Sequence, residues 1–186
     1  GAVSADNDDP SKASRPFDAT RNGFVLGEGA GFVVLEDWEL AKARGARIYA
    51  ELAGDGNSLS SYRITDSHPS GDGPIQAMHW ALADADATPQ DVDYVNAHGT
   101  STPMNDRSES AAMHAVFGAE VGRVSVSSTK SAMGHLIAAA GAVEGEQAEI
   151  PGDMVGERLQ LGAGGGVEEG GGVIVPPCVA LDVEAP

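Results

Sequence analysis

Cations, cysteine and aromatic side chains are all scarce in this chain of 186 residues. Its 11 Lys and Arg stand against 28 Asp and Glu, and the formal charge of −17 excludes a surface built for nucleic acid or an anionic membrane. A single cysteine, Cys178, excludes an internal disulfide framework and suits a reducing cytoplasm. No apolar run is long enough to span a bilayer, and no signal-peptide pattern opens the chain. An initial Met is also lacking, which points to a processed, tagged or partial chain. The length suffices for one ordinary domain with a real core.

The rest of the sequence is organised around residues 95–106, VNAHGTSTPMND. Val92, Val95 and Ala97 lead into a polar turn, so a buried strand is expected to end at His98. Gly99 permits a tight turn, and Thr100, Ser101 and Thr102 crowd hydroxyls around it. Pro103 ends the strand, and Asn105 or Asp106 is the expected cap of the helix that follows. A histidine at the C-terminal end of a strand lies where open α/β sheets place ligands. Further on, residues 127–144 (SSTKSAMGHLIAAAGAVE) carry Lys130 and His135.

Elsewhere strand and helix patterns alternate. The apolar run 32–35 reads as a strand covered on both faces. Residues 37–44 read as a helix with Asp37 as cap and Gly45 as stop. Strand 48–53, a polar loop over 54–73 and a helix over 74–86 follow, the helix apolar at Ile75, Met78, Ala81 and Leu82. A helix over 107–117 and an alternating strand over 123–128 complete an α/β order. Residues 136–143 are small or apolar and lead to Glu144, so the expectation is a helix buried all round. Its N-terminus falls near His135, where the helix dipole would keep the imidazole neutral. His68, His79 and His114 read as solvated or surface residues. Glycines 27, 29 and 31 form a GxGxG run, but no strand precedes it in a βαβ frame and no phosphate-binding Lys follows, which disfavours a nucleotide loop.

Three segments together carry a resemblance. They are RPFDATRNGFVLGEGAG (residues 15–31), the HGTSTPMND turn with His98, Gly99, Thr100, Thr102 and Asp106, and the KSAMGH run with Lys130, Ser131, Gly134 and His135. In this order they resemble the β-ketoacyl-acyl-carrier-protein synthases, condensing enzymes of thiolase-like fold. The resemblance covers residues 1–144 well, as the C-terminal half of the layered α-β-α-β-α fold, and 175–186 weakly. Residues 145–174 depart from the family. Pro151 and the glycine-rich run 162–172 favour a flexible segment there.

The resemblance implies decarboxylative condensation of malonyl-carrier protein with an acyl thioester in fatty acid biosynthesis. That chemistry needs a nucleophile for the acyl group, donors for an enolate and an apolar place for departing CO2. By resemblance His98 and His135 are the donors, Lys130 supports them with Glu144 as its counter-charge, and Phe24 lies near the malonyl carboxylate. Thr100 and Thr102 would bind the pantetheine amides. Thr65 falls where a further hydroxyl meets that arm, with a water-facing role equally open. His135 and Glu144 are nine residues apart, which on a regular helix puts them on nearly opposite faces.

The family's reactive cysteine precedes the segments matched here. Cys178, after two prolines and with no helix N-terminus or basic neighbour to lower its pKa, is not its replacement. This chain alone is therefore expected not to catalyse condensation. No cofactor is implied, because substrates ride on the phosphopantetheine of acyl carrier protein. That carrier is the expected partner, with Lys12, Arg15, Arg21, Lys42, Arg44 and Arg47 the available cations for docking. A homodimer and a cytoplasmic location are further expectations from the family. A polyketide ketosynthase, or a non-catalytic partner subunit of the chain-length-factor kind, is the alternative; retention of His98, Lys130 and His135 argues against the latter.

Overall fold

The computed structural model describes residues 2–63 and 66–146. Thr65, Cys178, and the expectations for the glycine-rich segment beyond 146 and for 175–186 lie outside them. Among the described residues the regular elements, in chain order, are α1 (Trp38–Ala43), α2 (Asp72–Asp84), β1 (Tyr94–Asn96), α3 (Pro103–Phe117), β2 (Ser125–Ser127), α4 (Lys130–Met133) and α5 (Ala140–Glu146).

β1 and β2 pair in parallel, with Tyr94 opposite Ser125, Val95 opposite Val126 and Asn96 opposite Ser127. Parallel neighbours need a long crossover, and α3 supplies it. The ladder continues one step beyond β1, where the N–H of Ala97 donates to the Ser127 carbonyl at 2.7 Å. The chain therefore leaves the sheet at His98, as the apolar alternation implies. α2 packs on α3, and Met78, Ala81, Leu82, Val92, Val95, Ala97, Ala112, Met113, Val116, Phe117 and Val124 form one core shared by the two helices and the strand region. Burying this continuous apolar group is what holds the short strands, which could not stand alone.

Several local boundaries differ from the sequence expectation. α3 begins four residues before 107, because Thr102 rather than Asn105 or Asp106 is its cap. The Thr102 hydroxyl accepts the N–H of Asn105, and Pro103 occupies the first helical position, where its missing N–H costs nothing. α2 likewise starts at Asp72, behind a left-handed Gly71. α1 is capped by Asp37, as read from the sequence.

Neither 32–35 nor 48–53 forms a strand among the described residues. The first was expected to be covered on both faces, yet Phe32, Val34 and Leu35 are 89%, 92% and 72% exposed. Composition can favour extended backbone, but a strand exists only where another strand accepts its N–H groups. Neither segment joins a strand ladder among the described residues.

The small-residue helix expected over 136–144 is also broken. A 3-10 turn over Ile137–Ala139 precedes α5, and Ile137, 56% exposed, has φ +56°. A bulky β-branched residue in the left-handed region interrupts a regular helix. The segment is accordingly not buried all round, and its helical part starts well after His135.

Candidate active site

Three backbone arrangements deliver the side chains. The strand-to-turn exit after β1 presents His98. α4 carries Lys130. Between α4 and the 3-10 turn, His135 lies in an extended stretch bridged in parallel to Leu26. Its N–H donates to the Val25 carbonyl at 2.7 Å, and its carbonyl accepts from Gly27 at 3.0 Å.

That bridge explains the glycines. A Cβ on Gly27 would stand 2.2 Å from the Met133 carbonyl oxygen, one on Gly29 2.5 Å from Leu136 Cδ2, and one on Gly31 2.9 Å from the Val143 nitrogen. The GxGxG run lets residues 27–31 lie flush against 133–143. The same close approach brings Phe24 edge-on to His135, with ring centroids 5.7 Å apart.

His98 and His135 converge. Their ring centroids are 5.2 Å apart and their planes meet at 86°. His98 is neutral: burial, the Lys130 ammonium and His135 together hold its pKa down to about 3. For His135 the relevant partner is local. The N–H of Ile137 donates to His135 Nδ1 at 3.1 Å, which places the proton of the neutral ring on Nε2. No regular helix begins at His135, so the expected helix dipole does not act on it.

Lys130 is 1% exposed, and its Nζ meets Glu144 Oε1 at 2.5 Å. The opposite-face argument for His135 and Glu144 does not apply, because the 3-10 turn resets the phase before α5. Glu144 faces the ammonium and supplies its counter-charge.

Around the His98 turn, Thr100 and Thr102 pair their hydroxyls at 2.9 Å. Thr100 Oγ1 also accepts the N–H of Thr102, and Thr102 Oγ1 that of Asn105. Each hydroxyl has one O–H, and one is spent within the pair, so a single donor is left for a ligand.

Behind this turn sequence reasoning missed Glu109 altogether and gave Asp106 only as a motif match and a possible cap. Glu109, 2% exposed, accepts the backbone N–H of His98 at 2.7 Å and of Gly99 at 2.8 Å. Burial raises its pKa, opposed by the N–H groups of Gly99 and His98 and by Asn105, while the Asp106 charge raises it further. Asp106, 1% exposed, accepts from the N–H of Phe17 at 2.7 Å and of Ser101 at 3.2 Å, and pairs with Arg21 at 3.3 Å. The available signal was position: both carboxylates lie on the face of α3 that also carries Ala112 and Met113, where an acidic residue needs a partner.

The remaining histidines are peripheral. His79 and His114 are exposed. His68, expected to be unpartnered, meets the Tyr62 ring edge-on at 4.8 Å and the Ser70 hydroxyl at 2.7 Å. Of the six cations considered for docking, five pair with carboxylates of the chain: Lys12 with Asp9, Arg15 with Asp6, Arg21 with Asp106, Lys42 with Glu39 and Arg44 with Glu36. Arg47 lies over the Tyr49 ring. Among the described residues no cluster of His, Cys, Asp and Glu could hold a metal ion, and no helix is long and apolar enough to cross a membrane.

Residues 49–147 match the model of the β-ketoacyl synthase C-terminal domain, and residues 1–41 that of the β-ketoacyl synthase N-terminal domain. The 3-oxoacyl-[acyl-carrier-protein] synthase 2 of Rhizobium meliloti (strain 1021) is 56% identical over 74% of this chain and 32% of its own length. The enzyme of the same name from Vibrio cholerae is 48% identical over 99% of this chain and 44% of its own. Among solved structures, a type II polyketide synthase acyl-carrier protein in complex with its ketosynthase bound to the hexaketide aligns with TM-score 0.77 and 40% identity, over 80% of this chain and 38% of that one. A β-ketoacyl synthase from Burkholderia phymatum aligns with TM-score 0.69 and 42% identity, over 77% and 34%. The chain spans less than half the length of each of these proteins.

Proposed function

The chain belongs to the β-ketoacyl synthase family, with its thiolase-like α/β fold, and on that premise we propose that it carries the decarboxylating side of a 3-oxoacyl-acyl-carrier-protein synthase of fatty acid biosynthesis. The observation that carries this reading is the convergence of two imidazoles, His98 kept neutral by burial and His135 with its Nδ1 taken by a backbone N–H.

In this proposal the thioester oxygen of a malonyl group sits between His98 and His135. The bond from the malonyl methylene to its carboxylate breaks and CO2 leaves. The electron pair forms an enolate whose oxygen takes hydrogen bonds from the rings. Neutral donors suit this step, because they stabilise charge as it develops without holding a carboxylate in a tight ion pair beforehand. Phe24, edge-on to His135, walls the side from which CO2 departs. Lys130, held by Glu144, adds a fixed positive charge nearby. The one O–H donor left by Thr100 and Thr102 serves an amide carbonyl of the pantetheine arm.

The substrates would arrive on the phosphopantetheine arm of an acyl carrier protein, and no resident cofactor enters the proposal. A homodimer and a cytoplasmic location belong to the same reading. The thiol that would accept the acyl group is not among the described residues, and Cys178 is given no part in the chemistry. Polyketide ketosynthases remain the second reading, supported by the 40% identity to a ketosynthase of that kind. Relatives of the fatty acid type reach 48% to 56%.

The test supplies malonyl-carrier protein to the chain and follows CO2 and acetyl-carrier protein, with and without an acyl-carrier protein. Decarboxylation that is lost in His98→Ala and His135→Ala, with no β-ketoacyl product, is the expected result. Robust condensation would overturn the assignment of the missing thiol. Decarboxylation indifferent to both histidines would overturn their role.

A further inference from the structure

Residues 14–17 touch both halves of the site without contributing a group to it. The Ser14 hydroxyl donates to the Lys130 carbonyl at 2.6 Å, sharing that oxygen with the N–H of Gly134. One residue on, the N–H of Arg15 donates to the Ser101 hydroxyl at 3.2 Å. Phe17, with φ +63°, gives its N–H to Asp106 at 2.7 Å. The Phe17 ring lies over the His98 turn, where a Cβ on Gly99 would be 3.1 Å from Phe17 Cε2. Ser101, held by the same Asp106 carboxylate, is also left-handed, with φ +69°.

A non-glycine residue in the left-handed region costs free energy and persists only where its surroundings over-determine it. Here two such residues, far apart in sequence, face one buried carboxylate. The contact with α4 and the contacts with the His98 turn all fall within four consecutive residues. A segment this short, pinned at both ends, can hold two elements at fixed spacing in a way that a long loop cannot.

We propose that residues 14–17 are a positioning clasp: Ser14, anchored on the Lys130 carbonyl, and Phe17, anchored on Asp106, set the distance between the turn that presents His98 and the helix that carries Lys130 and leads to His135. This rests on the decarboxylase reading for its purpose, but not for its geometry. None of the four residues reaches the place assigned to the thioester oxygen; they act through the backbone of those that do. Because the enolate oxygen must meet two donors at once, a small change in their spacing would be felt more in turnover than in binding.

The test reads ring geometry directly. In the histidine-labelled full chain at neutral pH, the edge-to-face contact of His98 with His135 gives a proton–proton NOE and mutual ring-current shifts. Ser14→Ala is expected to lose that NOE and move both sets of ring signals, while Ser14→Thr, which keeps the hydroxyl, retains them. Both variants are compared by far-UV circular dichroism, so that a fall in stability alone, which leaves the folded-state NOE in place, is told apart. An unchanged NOE in folded Ser14→Ala overturns the clasp. If that variant does not fold, Ser14→Cys, similar in volume but a weaker donor, decides by the same comparison: displaced ring signals support the clasp, and wild-type signals overturn it. No malonyl compound is present, so a chain that fails the decarboxylation assay yet shows the Ser14→Ala effect loses the reaction and keeps the clasp.

Discussion

Glu109 holds His98 by its backbone: its two oxygens take the N–H groups of His98 and Gly99, at 2.7 and 2.8 Å, in a site closed to water. The carboxyl thereby fixes the backbone from which the imidazole projects. Truncation to Glu109→Ala strands two N–H donors where no solvent can replace the acceptor. Each costs about 1–3 kcal/mol. Urea denaturation of the wild type and variant measures the loss, and a difference below about 1 kcal/mol would show that other acceptors take over.

A pH dependence follows from His98. Unfolded, the imidazole takes up a proton as pH falls through about 6.5, whereas the folded ring resists until about 3. Between these values the unfolded state binds more protons. Stability is therefore full above the upper value and declines toward the lower one, by up to about 1.4 kcal/mol per pH unit. Glu109 works in the opposite sense. Its raised pKa leaves the folded carboxyl protonated where the unfolded one has ionised, so its contribution falls as pH rises above the ordinary carboxylate value of 4.5. Denaturation midpoints of His98→Gln against pH should show a flatter acid limb than the wild type. Parallel acid limbs would mean that His98 is protonated in the folded chain.

The Lys130–Glu144 pair is unequal in burial, with side chains 2% and 14% exposed. Removing the carboxylate by Glu144→Ala abandons an ammonium in the interior and is expected to cost about 3–5 kcal/mol. Lys130→Met keeps most of the volume and leaves a carboxylate that can turn toward water, so its cost should be clearly smaller. Calorimetric melting of the two variants ranks them, and the reverse order would place the buried charge on the wrong partner.

Close approach makes a prediction about glycine. Gly27→Ala sets a methyl group 2.2 Å from the Met133 oxygen, on the stretch that leads to His135. Backbone must move there, and a cost of several kcal/mol, on the order of the larger overpacking losses, should accompany altered His135 ring signals. Gly122→Ala meets nothing within 4 Å and should leave both unchanged. Equal melting of the two variants would contradict the flush packing of residues 27–31 on 133–143.

Some of this was written in short-range pattern. The apolar alternation before His98, the Asp37 cap, and the stripe of Met78, Ala81 and Leu82 on α2 depend on neighbours a few residues away, so they could be read directly. The motif residues His98, Lys130 and His135 were found because their order and spacing are specific. What could not be read was anything that needed a partner from elsewhere. The run 32–35 has strand composition, but whether a strand forms depends on a second backbone, and among the described residues it joins no strand ladder.

The sequence alone determined the α/β character, the acidic composition, the turn after β1 and which residues the proposed chemistry would draw on. Tertiary structure decided their relation. It broke the small-residue helix at Ile137, gave Nδ1 of His135 a donor, turned Glu144 toward Lys130 and set the carboxylates of Glu109 and Asp106 behind the His98 turn. The physical reason is one of range. Propensity, capping and periodicity act over a few residues along the chain. The protonation state of a ring and the partner of a buried charge depend on what the folded backbone brings beside them.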